Sequence, residues 1–304
     1  MQSKLVIRLS NNIGNQMFMY AFAYAFSRKL NRKLLIDNES AYNVKFNLHR
    51  YDLDIFNIQA DIAPKNLKFL GNYGYIKRKV LKYFDSFKES KNFYIEPKDE
   101  NKKTMFNKNY MNNIFNSTFF VEGHFETEKY FKDCIVDIKN EFTFKNIKSF
   151  VNSQIYKNIK NSNSVSICVR QNRFSEKKRA ITSEDNQKST IFTTDQIKYI
   201  KKSIDIIKSQ INNPKFFLWS NDQKNLQSYF SNYDFTIVST DNVGSDLFLM
   251  TQAKHHIVIP SSYNWWGAWL SDNKKGLILR PSENNFTNFT LNNQDFWPDS
   301  WTTV

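Results

Sequence analysis

Apolar and polar positions fall along the chain in blocks that read as alternating strands and helices. Lys4 to Leu9 is apolar, Ser10 to Gln16 has the composition of a turn, Met17 to Leu30 is apolar at nearly every position, and Leu34 to Ile36 is apolar again. That order predicts strand, turn, helix, strand, a βαβ unit. Met17, Phe18, Tyr20, Ala21, Phe22, Ala25 and Phe26 leave the helix almost no polar face, so it is expected inside a core. From Glu39 to about Lys160 the pattern is irregular, and only Thr118 to Val121 reads as a further strand.

The second half alternates more regularly. Strands are expected at Val165 to Val169, Phe216 to Trp219, Thr236 to Val238, Ile257 to Ile259 and Leu277 to Leu279. Helices are expected at Thr194 to Ser209, Asp246 to Ala253 and Tyr263 to Ser271, the first with the capping-box spacing Thr193…Gln196. Strands alternating with helices mean a parallel sheet. The polar stretch from Lys145 to Asn163 suits an interdomain connection, so two α/β domains are expected, residues 1–155 and 156–304.

Composition sharpens this picture. Among 304 residues, 28 Phe, 15 Tyr and 6 Trp supply the apolar area that folding requires and exclude wholesale disorder. Two cysteines, Cys134 and Cys168, cannot form a disulfide scaffold and lack zinc-ligand spacing. No signal-peptide or membrane-spanning run is present, so a cytoplasmic location is expected. The net charge of +14 points to an anionic partner: a nucleotide, a phospholipid surface or nucleic acid. Much of it is scattered lysine, as in Lys77-Arg78-Lys79, and no nucleic-acid-binding signature accompanies it.

In open parallel sheets ligands bind beyond the carboxyl ends of the strands. There the chain carries Arg170, then Ser220-Asn221-Asp222, then Ser261-Ser262, several of these segments leading into helices whose free amides attract anions. An arginine fork with hydroxyls and helix amides suits a pyrophosphate, although Ser and Asp at such points also serve as plain caps. The N-terminal turn holds Gly14 alone, so the three-glycine dinucleotide fingerprint is missing, but one glycine still permits close backbone approach to a ligand. Asp52-Leu53-Asp54 spells a DxD text within an apolar alternation and reads better as packing than as a metal site. His255-His256 lacks a third ligand, and Trp265, Trp266 and Trp269 share a helix face suited to a core.

Gly14-Asn15-Gln16-Met17-Phe18 after the first strand, and Ser261-Ser262-Tyr263-Asn264-Trp265-Trp266-Gly267-Ala268-Trp269 late in the chain, resemble the bacterial α-1,2-fucosyltransferases of glycosyltransferase family 11. Tyr51 to Ile58, Glu122 to Phe131, Trp219 to Asp222 and Asp246 to Met250 extend the resemblance over nearly the full length. It implies a GT-B-like α/β fold, two Rossmann-like domains facing a cleft, with the C-terminal one holding GDP-fucose and the N-terminal one shaping the acceptor site. No cofactor and no metal are implied. More distant fucosyltransferases contact the nucleotide with an Asp and, about fifteen residues on, a Ser-Ser pair; Asp246 and Ser261-Ser262 match. A carboxylate accepts both N1–H and N2–H of guanine, where uracil offers a single imino donor.

The chain departs from the family at its HxRRxD signature, which here is Cys168-Val169-Arg170-Gln171-Asn172-Arg173. The first arginine survives as Arg170, Cys168 stands for the histidine, Gln171 for the second arginine and Arg173 for the aspartate, restoring the lost positive charge. Asn11-Asn12 replaces the usual glycine pair. The expected reaction is inverting transfer of L-fucose from GDP-β-L-fucose to the 2-hydroxyl of a galactoside, on an oligosaccharide or lipid-linked glycan such as O-antigen or capsule. Arg170 is the expected catalytic group, stabilising the leaving diphosphate, with Glu176 as general base. Substrate contacts are expected from Gly14, Asn15, Gln16, Glu126, Cys168, Arg173, Asp222, Asp246, Ser261 and Ser262. Another nucleotide sugar or linkage stays open, as does, distantly, a basic nucleic-acid-binding protein. Otherwise no nucleic acid is expected as a partner, and the basic surface is expected to make peripheral contact with the anionic inner leaflet.

Overall fold

A computed structural model describes residues 2–42, 49–97, 105–176, 180–240, 242–273, 275–287 and 293–304. The chain divides into two compact units, Met1–Lys145 with Gln294–Phe296, and Asn146–Asn293 with Trp297–Val304.

The first unit runs β1 (Lys4–Arg8), α1 (Ile13–Lys29), β2 (Lys33–Asp37), β3 (Asp61–Ile62), α2 (Gly71–Asp85), β4 (Lys91–Ile95), β5 (Phe115–Glu122) and α3 (Ile135–Glu141). Its sheet has the order β3-β2-β1-β5-β4 with every pairing parallel. Parallel strands buried on both faces read as unbroken apolar runs, and β1 is of that kind. Successive side chains of β5 serve opposite faces. Phe119 meets Phe26 of α1, with ring centroids 5.7 Å apart, whereas Phe120 joins Val6, Leu35, Ala63, Phe69 and Phe93 beneath Leu81 of α2. On its other flank α1 packs into an aromatic layer, with Phe22 stacked on Phe125 at 3.8 Å and edge-on to Tyr130 at 4.9 Å. The near absence of a polar face on α1 has this cause.

The second unit runs α4 (Lys148–Val151), α5 (Gln154–Lys160), β6 (Asn163–Val169), α6 (Ser183–Gln210), β7 (Pro214–Ser220), α7 (Leu226–Tyr229), β8 (Phe235–Ile237), α8 (Val243–Thr251), β9 (His255–Ile257), α9 (Ser262–Trp269), β10 (Ile278–Arg280) and β11 (Thr302–Thr303). The sheet order is β11-β10-β9-β6-β7-β8, again parallel throughout. Trp265, Trp266 and Trp269 are buried, Trp265 stacking on Trp269 at 5.8 Å and lying 5.5 Å from Trp301, so these indoles are core. Gly267 lets α9 close on α8: a Cβ there would sit 2.2 Å from the Met250 sulfur.

Several expectations change. The helix expected from Thr194 begins at Ser183, capped by a reciprocal box between Thr182 and Asp185. Thr193 is interior and donates its hydroxyl back to the Ser189 carbonyl. The polar first turns of α6 carry no apolar stripe, which conceals them in the sequence. Likewise α1 starts at Ile13, which places Gly14, Asn15 and Gln16 in a helical first turn instead of a loop. The expected connection from Lys145 to Asn163 holds α4 and α5, and the units divide at its start, between Lys145 and Asn146. The irregular stretch supplies β3, α2, β4 and α3. Among the described residues, no helix is long and apolar enough to cross a membrane.

His256 is fully buried in β9, and burial pushes its pKa down from 6.5 to about 3. The folded imidazole is therefore neutral where the unfolded one takes up a proton, so stability should fall as pH drops from about 6.5 towards 3. Urea midpoints measured across that range should fall less steeply for His256→Leu than for the parent; parallel slopes would clear His256 of the effect.

Candidate active site

Each sheet reverses direction once. In the second unit the chain leaves β6 towards β7 on one side and later returns to β9 on the other. The topological switch point thus lies between the carboxyl ends of β6 and β9, where open α/β sheets form their ligand crevice. Arg170 follows β6, and Ser261 follows β9 closely.

Arg170 is fixed through its backbone. Its N–H donates to Gln196 Oε1 at 2.9 Å, and its carbonyl accepts from Gln196 Nε2 at 3.2 Å. Gln196 is fully buried on α6, and both ends of its amide are paired with the backbone of a single residue. The guanidinium is half-buried and pairs with Glu176, Nε lying 3.1 Å from Oε1 and Nη2 also bonded to that oxygen. Glu176 Oε2 in turn accepts from Asn221 Nδ2 at 3.1 Å.

Asn221 also exchanges hydrogen bonds with the Gln171 backbone, accepting from its N–H at 2.8 Å and donating to its carbonyl at 2.9 Å. The buried Gln171 side chain donates to the carbonyls of Asp222, at 2.6 Å, and Lys224, at 2.8 Å. Gln171 and Asn221 thereby lock the loop after β6 to the loop after β7. Arg173 ties the β6 loop to the β9 side instead, donating from Nη1 to the Pro260 carbonyl at 2.9 Å with its guanidinium over the Phe192 ring.

On that side, Asn242 caps α8 by accepting from the Gly244 and Ser245 amides. Asp246, in the first turn, accepts at Oδ1 from both the N–H and the hydroxyl of Thr240, at 3.1 and 2.9 Å. Ser261 is the N-cap of α9 but makes no side-chain capping bond, and Ser262 opens the helix. Tyr263 donates its hydroxyl to the Val243 carbonyl at 2.7 Å, joining the starts of α8 and α9. Cys168 is buried with its sulfur 3.8 Å from that of Met250, so its side chain meets protein.

The first unit has its own switch point, between β1 and β5. Asn11, at a left-handed φ of 62°, brings its Nδ2 to 2.9 Å from His124 Nε2. Asn15 donates to Glu126 Oε1 at 2.8 Å. The loop carrying His124 and Glu126 bends sharply, with Gly123 at φ 156° and Phe125 at φ 55°. The buried Glu96 carboxylate holds it by accepting from the His124 and Phe125 amides at 2.6 and 3.0 Å. Gln16 is buried and fastens the Asn11, Arg50 and Asp52 backbones, so its amide is turned into the protein. The Asp52 carboxylate accepts from Arg50 at 3.1 Å, and Leu53 between the two aspartates is core.

The structure thus gathers Arg170, Glu176 and Asp222 into one network, ties Arg173 to the β9 side, sets Asp246, Ser261 and Ser262 on the neighbouring α8 and α9 starts, and places Asn15 and Glu126 together in the other unit. A cavity of about 560 Å³ lined by Gln171, Asn172 and Asp222 against the hydroxyls of Ser189, Thr190 and Thr193 adjoins the network and does not include Asp246, Ser261 or Ser262. Sequence reasoning placed Asn221 at the end of a strand without a partner, and missed Gln196, His124 and Tyr263 as site-building residues. His124 was the most accessible of these, because it directly follows the glycine after a strand.

Residues 2–304 match the family model described as glycosyl transferase family 11. An α-1,2-colitosyltransferase of Escherichia coli is 29% identical over 310 residues, covering 99% of each chain. The O-antigen biosynthesis glycosyltransferase WbnK of Escherichia coli is 24% identical, covering 96% of this chain and 98% of its own. Among solved structures, NodZ α-1,6-fucosyltransferase soaked with GDP-fucose superposes with a TM-score of 0.57 at 12% identity, over 95% of this chain and 98% of NodZ. An Arabidopsis thaliana FUT1 variant in complex with GDP gives 0.56 at 11% identity, over 94% of this chain and 72% of that one. Two parallel-sheet α/β units of this kind are the GT-B fold of the fucosyltransferases.

Burial raises the Cys168 thiol far above the ordinary range, with the nearby Asp246 charge adding to the shift. Cys168 should therefore remain a neutral, shielded thiol. Titration with an aromatic disulfide reagent at pH 8 should modify it only after denaturant is added, and rapid labelling of Cys168 in the native protein would contradict its placement.

Proposed function

The chain belongs to glycosyltransferase family 11, and from that membership we propose that it moves L-fucose from GDP-β-L-fucose to the 2-hydroxyl of a galactoside in a cell-surface glycan. The observation that carries the reading is Arg170, held by backbone and side chain at the carboxyl end of β6 beside the switch point. In the transfer, the acceptor oxygen bonds to the anomeric carbon from the face opposite the nucleotide while the carbon–phosphate oxygen bond breaks. Negative charge then grows on the β-phosphate. A donor fixed beforehand stabilises that charge without reorganising at the moment of reaction.

Arg170 is assigned this role, helped by Ser261, Ser262 and the backbone amides at the start of α9. Arg173 adds a second positive charge. These groups supply what a divalent cation would otherwise supply, so turnover should be unchanged by EDTA. Asp246 is assigned to guanine, its carboxylate held in place by the Thr240 N–H and hydroxyl, which both donate to Oδ1.

Glu176, expected as the base, is bound to Arg170 and Asn221, and its assigned task becomes positioning the guanidinium. Proton removal from the acceptor hydroxyl passes to Glu126, oriented by Asn15 on the first unit, which is assigned the acceptor.

A second donor is favoured by the colitosyltransferase relative, similar over 99% of both chains. Colitose is L-fucose without its 3-hydroxyl, so the two donors share the diphosphate and guanosine contacts and differ at one oxygen. Turnover with each GDP-sugar, together with linkage analysis of the product, decides between them. For either donor, Arg170→Ala should lower kcat about 100-fold or more, and calorimetry should show GDP bound in preference to UDP. Near-normal turnover in the variant would remove Arg170 from the site, and preference for UDP would remove Asp246 from guanine recognition.

A further inference from the structure

The face of α2 turned away from the sheet is unusual for a surface helix. Tyr73, Ile76, Val80, Tyr83 and Phe84, continued by Phe87 just past the helix end, recur at the spacings that align residues along one side of a helix, and all are exposed. Tyr73 is 80% exposed, Tyr83 64% and Phe87 73%. Normal amphipathicity is therefore inverted: the apolar stripe looks outward.

The inward face shows that this orientation is firmly set. Gly74 lies against the Phe69 backbone so closely that a Cβ would come within 2.3 Å of its carbonyl carbon. Leu81 packs on the core beneath. Arg78 and Lys82 converge on the buried Glu122, whose pKa burial alone would raise but which these hydrogen bonds hold below the usual value. Asp85 accepts from the Asn92 and Phe93 amides at 2.9 and 2.8 Å. The helix cannot turn its stripe inward without breaking these contacts.

Charge selects the occupant. Gly71 to Lys88 contains five basic residues and one acidic, and that acid, Asp85, is tied to β4. Lys79 lies over the Tyr75 ring at 4.6 Å and Lys88 over Phe84 at 5.7 Å, so cations flank the exposed aromatics. A second copy of the chain docked by two-fold symmetry would set these lysines against their own counterparts. A bilayer whose headgroups carry negative charge satisfies both features at once, since aromatic and aliphatic side chains enter the headgroup layer while lysines meet phosphates.

We propose that the outward face of α2 docks the protein on an anionic phospholipid bilayer, with Tyr73, Ile76, Val80, Tyr83, Phe84 and Phe87 inserted and Lys77, Lys79 and Lys88 on the lipid phosphates. The proposal goes beyond the transfer reaction and stands on this helix, independently of the donor assigned above. It would bring the enzyme to acceptors displayed at a lipid surface.

The test is co-sedimentation with vesicles of phosphatidylglycerol and phosphatidylcholine, compared with phosphatidylcholine alone. The parent should bind the anionic vesicles, weakening with salt, and bind the neutral ones poorly. Ile76→Asp with Val80→Asp, and separately Lys79→Glu with Lys88→Glu, should each weaken binding by roughly tenfold or more. These positions are exposed, so GDP affinity and transfer to a soluble acceptor should be retained. No binding by the parent at low salt, equal binding to neutral vesicles, or undiminished binding by the variants overturns the proposal. So does a lipid-free dimer that the aspartate variant dissolves, because the stripe would then be a seam between copies. A parent that binds vesicles but not GDP would defeat the donor reading and leave this one standing.

Discussion

The carboxamide of Gln196, buried on α6 and bonded to both the N–H and the carbonyl of Arg170, is the constraint on which the candidate site rests. A strand's last residue normally loses its ladder partners as the sheet ends, and its backbone becomes free to wander. Here a single side chain replaces both partners, so Arg170 leaves β6 in one direction only. The guanidinium inherits that direction and is then held by Glu176, which Asn221 holds in turn. Under the proposed transfer, a cation fixed beforehand stabilises developing charge most, because reorganisation would otherwise consume the stabilisation.

The two units solve the same problem with different chemistry. Around Arg170 the loops are locked by amides: Gln171, Asn221 and Gln196 each match a peptide group or its carbonyls. Around Asn15 the locking group is a buried carboxylate, Glu96, which accepts two successive amides of a loop with two residues at positive φ. Amides add no charge beside the Arg170 guanidinium, whereas a carboxylate would weaken its field. Glu176 is the exception in the second unit, and it is bonded to the cation itself.

Much of this was legible in the sequence where burial dominates. Strands β1, β6 and β7 appear as apolar runs because both their faces are covered, and the Trp265–Trp269 cluster declares itself by helical spacing. The second half reads clearly because its helices pack on one sheet through ordinary apolar faces. Legibility fails where polar residues do structural work. The first turns of α6 are serine, asparagine and lysine, yet they fold because a Thr182–Asp185 box satisfies the end. Helix α2 misleads because its apolar stripe faces outward while its inward side carries Gly74, Arg78, Lys82 and Asp85 around Leu81, the reverse of the usual contrast. Gln16 looked like a ligand contact by its motif, and only the three backbone groups it satisfies reveal its task. Gln196 could not be found at all, and Asn221 only by its place after a strand, since long-range partners of a loop leave no local mark.

The departures from the family signature form a consistent set once the geometry is known. A glutamine in place of the second arginine donates from one nitrogen to the Asp222 and Lys224 carbonyls, a buried role in which a guanidinium would pay the cost of desolvating its charge. The positive charge given up there reappears at Arg173, which reaches the Pro260 carbonyl just before Ser261 and Ser262. Cys168 fits a position enclosed by Met250 and placed under α8 and α9, where an imidazole would need a second polar partner. The positive charge is thus moved from the β7 side of the sheet to the β9 side, nearer the α9 amides. That shift concentrates positive charge around the switch point between β6 and β9, and it leaves the hydroxyl-lined cavity beside β7 with Asp222 and Lys224, one charge of each sign.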